Sequence, residues 1–256
     1  MAGQLFTKRW PSSKDRRMRL LQGDDHLADC EFLVGDPNAV QKPRLFRCHK
    51  MILATASEVF ERMFYSEFVV VGPIQVSDVS PNSFERFLRY VYIYEINKYL
   101  PTEELGELFY LADKYMMQDL TDAIVEHLKS THNWTSGDVW PMYDLACLHE
   151  NLPLMLICYE EINKYGEQLF SVGSFYRVNP HHLKRLVILL GQQTHISTKV
   201  ILQHLEEYGR RNQLHEKRDS EEFLKLVEAA CKLDFNKLSK YDFDHGPAVS
   251  YLFNNK

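Results

Sequence analysis

The chain has 256 residues, 45% of them hydrophobic and 25% charged, with a formal net charge of -5. At ~100–200 residues per domain this length predicts about two domains, and the composition supports a substantial apolar core. A net negative chain is not built for nucleic acid or an anionic membrane surface, and its most apolar stretches, Leu152–Cys158 and Leu186–Leu190, fall far short of the ~20 residues that span a bilayer.

Residues 1–12 read as a flexible tail, without the apolar run of a signal peptide. Lys8, Arg9, Lys14, Arg16, Arg17 and Arg19 form a basic cluster containing one acid, Asp15. Met18, Leu20 and Leu21 supply apolar positions beside these charges, so the cluster reads as a solvated helix face; a weak nuclear-import or phosphate-binding patch is the alternative. Leu27, Cys30, Phe32 and Val34 mark a first strand, followed by a loop with Gly35, Pro37 and Pro43. Leu45 to Cys48 is a second strand. From His49 the period becomes helical, with Ile52, Ala56, Val59, Phe60 and Met63 on one stripe. Thr55-x-x-Glu58 has the form of a capping box that restarts the helix as a separate short segment. Ile74-Gln75-Val76 is a short strand after the Gly72-Pro73 break.

Ser80-Pro81 starts a helix with an acceptor at the cap and proline in the first turn. Phe84, Phe87, Leu88 and Val91 form its apolar face. Pro101-Thr102-Glu103-Glu104 opens the next, with acids at its positive end and a stripe of Leu105, Leu108, Leu111, Ala112 and Tyr115. Leu120, Ile124 and Leu128 mark another, and this strand–helix block closes near Ser130. The remainder reads as helical. Its stripes are Trp140, Tyr143 and Cys147; Leu154, Ile157, Cys158, Ile162 and Tyr165; Leu183, Leu186, Val187 and Leu190 behind Asn179-Pro180; Ile201, Leu205 and Tyr208; and Phe223, Leu226, Val227 and Ala230 behind Ser220. Amphipathic helices with short polar joints indicate antiparallel pairs. Residues 234–256, rich in aromatics and turn formers, read as irregular.

The search for chemistry points away from an enzyme. The eleven glycines form neither a GxGxxG nor a phosphate loop, and no Gly-x-Ser-x-Gly elbow occurs. His181 and His182 diverge by ~100° on a helix and make a poor chelate. Cys147 and His149 lack a second pair to complete a zinc site. No metal, cofactor or catalytic group is expected. The five cysteines, Cys30, Cys48, Cys147, Cys158 and Cys231, include no Cys-x-x-Cys pair and sit among apolar residues, which suits reduced thiols in a reducing compartment.

Asp29-Cys30-Glu31-Phe32-Leu33-Val34, followed by Phe46-x-x-His49-Lys50-x-x-Leu53-Ala54-x-x-Ser57-x-x-Phe60-x-x-Met63-Phe64, resembles the opening half of a BTB/POZ domain. Phe84-x-x-Phe87-Leu88-x-Tyr90-Val91-Tyr92 and Leu108-x-x-Leu111-Ala112-Asp113-Lys114-Tyr115 continue the likeness in the right order over about residues 22–130. The helical remainder is similar to a BACK domain, on Asn179 to Tyr208 and its helix-pair layout, and the whole resembles BTB–BACK proteins of the BTBD type without Kelch repeats. The resemblance implies an α+β chain: a BTB/POZ domain at 13–130, a small sheet covered by helices, followed by an all-α BACK-like domain at 131–256.

The family implies two tasks, neither of them catalysis. The first is homodimerisation through an N-terminal helix, here about Ser13 to Gln22 with Leu20 and Leu21 facing the partner, and the domain's first helices, where Asp29, His49 and Lys50 match the interface; a buried Asp29 paired by Lys50 and an Asp29 that only ties off the local turn are both open. The second is recruitment of a protein substrate to a cullin-3 RING ubiquitin ligase. The cullin-contact positions are Phe68, Val69, Val70, Tyr92, Ile93 and Tyr94. Val70 stands where many members carry glutamate. The alternative is a dimeric scaffold in a transcriptional or cytoskeletal assembly that binds no cullin. Expected partners are a second copy, cullin-3 and an unidentified protein substrate, without nucleic acid or membrane. The expected location is the cytoplasm, with the nucleus as a second compartment.

Overall fold

Alternating side chains define the first strand of the structure, a computed structural model describing residues 12–21, 27–39, 42–66, 72–97, 100–130 and 134–254. After helix α1 (Ser13–Leu21), strand β1 (Cys30–Val34) buries Phe32 and Val34. Strand β2 (Arg44–Cys48) pairs antiparallel to β1, with Phe32 opposite Phe46. Strand β3 (Ile74–Val76) pairs parallel on the other side, with Phe32 opposite Ile74, so the sheet order is β2-β1-β3. Parallel pairing needs a long crossover. It contains α2 (Lys50–Ala56) and α3 (Glu58–Tyr65). Helices α4 (Pro81–Ile93), α5 (Thr102–Lys114) and α6 (Gln118–Ser130) complete the first of two compact units, Met1–His132 and Asn133–Lys256.

An aromatic cluster fills the first core. Phe60 stacks on Tyr115 at 4.2 Å, Phe32 meets Phe84 at 5.3 Å, and Phe87 meets Tyr115 at 5.3 Å. Such pairs add to the burial of large rings. The break between α2 and α3 occurs where the sequence places it, but Ser57 is the cap, not Thr55. Ser57 has φ -153, its hydroxyl oxygen accepts the Val59 and Phe60 N–H groups, and it donates to the Tyr115 carbonyl at 2.6 Å. Thr55 lies inside α2 and donates back to the Ile52 carbonyl, a common use of a hydroxyl within a helix. Ser80 caps α4 as expected, and the Glu107 carboxylate on α5 accepts both its N–H (2.9 Å) and its hydroxyl (2.6 Å). Leu27 lies outside β1 and is exposed.

The second unit is helical among the described residues: α7 (Val139–Leu148), α8 (Leu152–Tyr165), α9 (Pro180–Gly191), α10 (Thr198–Arg211), α11 (Glu221–Ala230) and the short α12 (Lys240–Asp244), with 3-10 turns between several of them. Asn151, Asn179, Ser197 and Ser220 cap α8 to α11, each accepting an N–H of the first turn. Helix α7 packs on α8 and α9 on α11. Trp140 is fully buried; its indole donates to the Leu169 carbonyl at 3.0 Å and its ring meets Phe175 at 5.4 Å. Residues 234–254 contain only α12 and two 3-10 turns.

Candidate interaction surfaces

Helix α1 has no fully buried residue, and it packs against α4 and β2. Met18 and Leu21 line a cleft of about 340 Å³ with Asn82, Glu85, Arg86, Arg89 and Asn97. Glu95 holds the helix by an ion pair with Lys14 while also pairing with Arg89 at 3.0 Å. Leu20 and Leu21 are half-buried. Both leucines therefore keep apolar surface available, although Leu21 already faces α4. Residues 1–11 and Gln22, parts of the expected tail and helix, lie outside the described residues.

Asp29, His49 and Lys50 come together where β1 and β2 meet α2. Asp29 is exposed, and its Oδ1 accepts the Lys50 backbone N–H at 2.8 Å, capping α2 from a neighbouring segment. A second bond runs from the Asp29 N–H to the Cys48 carbonyl. In this chain Asp29 is a surface carboxylate that ties the local turn. The Lys50 ammonium instead lies 5.9 Å from the Phe64 ring centre. Burial, reinforced by the Asp29 charge, pushes the neighbouring Cys30 thiol up to about 12 against the pull of Lys50, which keeps it protonated. His49 is buried, with its N–H donating to the Tyr92 hydroxyl at 3.1 Å and its Nδ1 2.8 Å from that oxygen.

Tyr92 consequently requires correction as a contact position. Its side chain is 0% exposed, so it organises the β2–α2 junction from within and offers no surface in this chain. Ile93 is also buried, whereas Tyr94 is 55% exposed and ends α4 at φ 56. Phe68, Val69 and Val70 lie outside the described residues. Of the six positions at which the resemblance implies a cullin contact, Tyr94 alone is both described and on the surface.

The second unit carries a surface that the sequence reading passed over. Cys147 on α7, Glu150 just after it, Leu152 and Met155 on α8, and His181, His182 and Arg185 on α9 line a cleft of about 440 Å³. Leu148, Leu152 and Leu156 recur every four residues, separate from the buried Leu154, Ile157 and Cys158 stripe; that spacing was the available signal. The two histidines diverge: His182 Nδ1 meets Asp144 Oδ1 at 2.8 Å, while His181 faces Glu221 at 3.8 Å. Asp144 also accepts the Asn179 N–H, joining α7 to the cap of α9. Burial raises the Asp144 carboxyl despite the opposing bonds from His182 and Asn179. Burial likewise raises the Cys147 thiol, with Tyr143 and Arg185 working against it.

All five cysteines are free thiols. Among the described residues no group of three or more His, Cys, Asp or Glu side chains is placed to hold a metal ion, and no helix is long and apolar enough to cross a membrane.

The first unit is thus a three-stranded sheet wrapped by helices, with buried polar groups such as Ser57 and His49 engaged in holding its own junctions. Residues 18–132 match the BTB/POZ domain family, and this part of the chain is a BTB/POZ domain. BTB/POZ domain-containing protein 3 of Homo sapiens is 31% identical over 179 residues, covering 70% of this chain and 33% of that protein. BTB/POZ domain-containing protein 6-B of Danio rerio is 30% identical over 192 residues, covering 73% of this chain and 38% of that protein. The chain therefore spans about a third of the length of the curated relatives it matches.

Proposed function

We propose that this chain is a dimeric BTB–BACK adaptor, acting in the cytoplasm or nucleus, that recruits a protein substrate to a cullin-3 RING ubiquitin ligase. The observation carrying this reading is the extent of the likeness: an alignment of 179 residues runs past the end of the BTB/POZ domain at residue 132 and so enters the helical unit. A chain alike over both parts joins a domain of a self-associating, partner-binding class to a second helical body, which is the layout of a bridge. Bridging by a dimer raises apparent affinity through effective concentration, without any bond being made or broken. The half-buried Leu20 and Leu21 supply apolar surface for a second copy.

Two observations favour the second reading, a dimeric scaffold that binds no cullin. Val70 replaces the acid of many family members, and Tyr92 is used inside the fold. The deciding experiment mixes the purified chain with the N-terminal region of cullin-3 and follows mass by light scattering and heat by calorimetry. A two-plus-two assembly of about micromolar affinity or tighter, some -8 kcal/mol or more favourable, supports the adaptor. A stable dimer with no cullin heat supports the scaffold.

A further inference from the structure

The sheet register sets one pair of thiols apart from the other cysteines. Cys30 opens β1, Cys48 ends β2, and the two are direct partners across the antiparallel ladder. Partners in such a ladder have Cα atoms about 4.5–5.5 Å apart, inside the roughly 4.4–6.8 Å that a disulfide spans. Their side chains share a face, since Cys30 alternates in phase with the buried Phe32 and Val34, and Cys48 with Phe46. Both are free thiols, and they differ in access: Cys30 is half-buried and Cys48 is 0% exposed. A reachable thiol beside a covered one lets the first take up an oxidant and the second resolve it. Cys30 follows Asp29 and Cys48 precedes His49, so the pair flanks the corner where Asp29 Oδ1 accepts the Lys50 N–H and the His49 N–H donates to Tyr92.

We propose that Cys30 and Cys48 form a redox latch, open as two thiols under reducing conditions and closed as a cross-strand disulfide when a small-molecule disulfide such as oxidised glutathione accumulates. The Cys30 thiolate attacks one sulfur of that disulfide, breaking its S–S bond, joining Cys30 to one half and releasing the other half as a thiol. The Cys48 thiolate then attacks Cys30 Sγ, forming the protein disulfide and expelling the second half. The two cysteines lose two protons and two electrons, and the oxidant gains both as two free thiols. Burial and the Asp29 charge keep Cys30 protonated near neutral pH, with Lys50 pulling the other way, so closure is slow and answers sustained rather than brief oxidation. The same property makes Cys30 a poor leaving group, so the closed bond yields slowly to a monothiol. Closing ties the start of β1 to the end of β2 and so holds the Asp29–Lys50 contact that begins α2. The latch depends on neither the adaptor nor the scaffold reading.

The test holds the purified full chain in glutathione mixtures of increasing oxidised fraction, blocks the remaining thiols by alkylation, and maps the peptides by mass spectrometry. The expected product is a Cys30–Cys48 link that dithiothreitol reverses. The linked chain should melt roughly 4 °C or more above the reduced one, because the bond restricts the unfolded chain, and should show slower hydrogen exchange at the Lys50 amide. Closure should quicken as pH rises from about 7 to 9. Cys48→Ala should stop at a mixed disulfide of Cys30 with glutathione, and Cys30→Ser should leave Cys48 unmodified; melting curves of both variants before oxidation establish that the fold persists. The exposed Cys231 reports that the oxidant is active. Cys30 and Cys48 both still open to alkylation when Cys231 is fully glutathionylated would overturn the latch. So would glutathione retained on Cys30 of the wild type without closure, a preferred link through another cysteine, or a linked chain whose melting and Lys50 exchange match the reduced form.

Discussion

The two units solve the problem of holding helices together in different ways. In the first, distant segments are joined by specific bonds: Ser57 reaches the Tyr115 carbonyl, His49 reaches Tyr92, and Ser80 reaches Glu107. In the second, four successive helices each begin with their own side-chain cap, and apolar stripes then pair the helices. Both units use contacts far apart in sequence, which cost loop-closure entropy before they stabilise anything, Trp140 reaching the Leu169 carbonyl and Asp144 the Asn179 N–H in the second, but the second adds a run of caps that are signals only a few residues long. Where the defining bonds are non-local, single polar changes should matter more.

The strongest way to break this comparison is to empty each core in turn. Phe60→Ala and Trp140→Ala should each cost about 3–5 kcal/mol, and hydrogen exchange should show the loss of protection confined to residues 12–130 in one case and 134–254 in the other. Simultaneous loss in both regions would mean that the units do not stand separately. Next comes Ser57→Ala, which removes the α3 cap and strands the Tyr115 carbonyl. It should cost about 1–2 kcal/mol, whereas Asn179→Ala in the second unit should cost about 1 kcal/mol. Equal losses in thermal melting would remove the distinction. Tyr92→Phe should cost about 1 kcal/mol by depriving His49 of its buried partner, with faster exchange of the His49 amide as the readout.

The smallest effect is in acid, and it has opposite signs in the two units. Burial pushes the Asp78 carboxyl up, but the hydrogen bonds from Lys114 and Tyr110 outweigh it and leave it below its ordinary 3.8. Its contribution is present above that value and is lost as pH falls through the lower folded value. Asp144 is raised by burial, so its contribution is full below 3.8 and is lost as pH rises through the higher folded value. Comparing wild type with Asp78→Asn and Asp144→Asn between about pH 3 and 6 should give stability differences that slope in opposite directions. Parallel slopes would show that the two carboxylates sit in equivalent environments.

Much of the fold was legible because periodicity and caps are local. The β1 alternation, the Ser80-Pro81 start and the Asn179 and Ser220 caps can be read within four residues of themselves. Several helix ends were not legible: Tyr94, Met116, Glu150 and Gln213 follow helices at positive φ without the glycine that usually marks such a stop. Thr55-x-x-Glu58 has the form of a capping box, yet Ser57 is the cap, held by a bond to the carbonyl of Tyr115, fifty-eight residues away. The resemblance placed Tyr92 among surface contacts, but which face of α4 is covered depends on His49 in another element. The α7–α9 cleft was not legible because its walls lie apart in sequence and Leu152 sits in a four-residue repeat of leucines that also suits a core.

Helix α1 has a consequence for the first unit's outer layer. Nine residues are too few for a helix to persist alone in water, and none of these nine is fully buried. Coiling and docking must therefore be a single event, sustained by Met18, Leu21 and the charge contact of Lys14 with Glu95. Rising ionic strength weakens that contact and so should both unwind the segment and bare the α4 residues beneath it, making α1 a fastening whose grip is set by the surrounding salt.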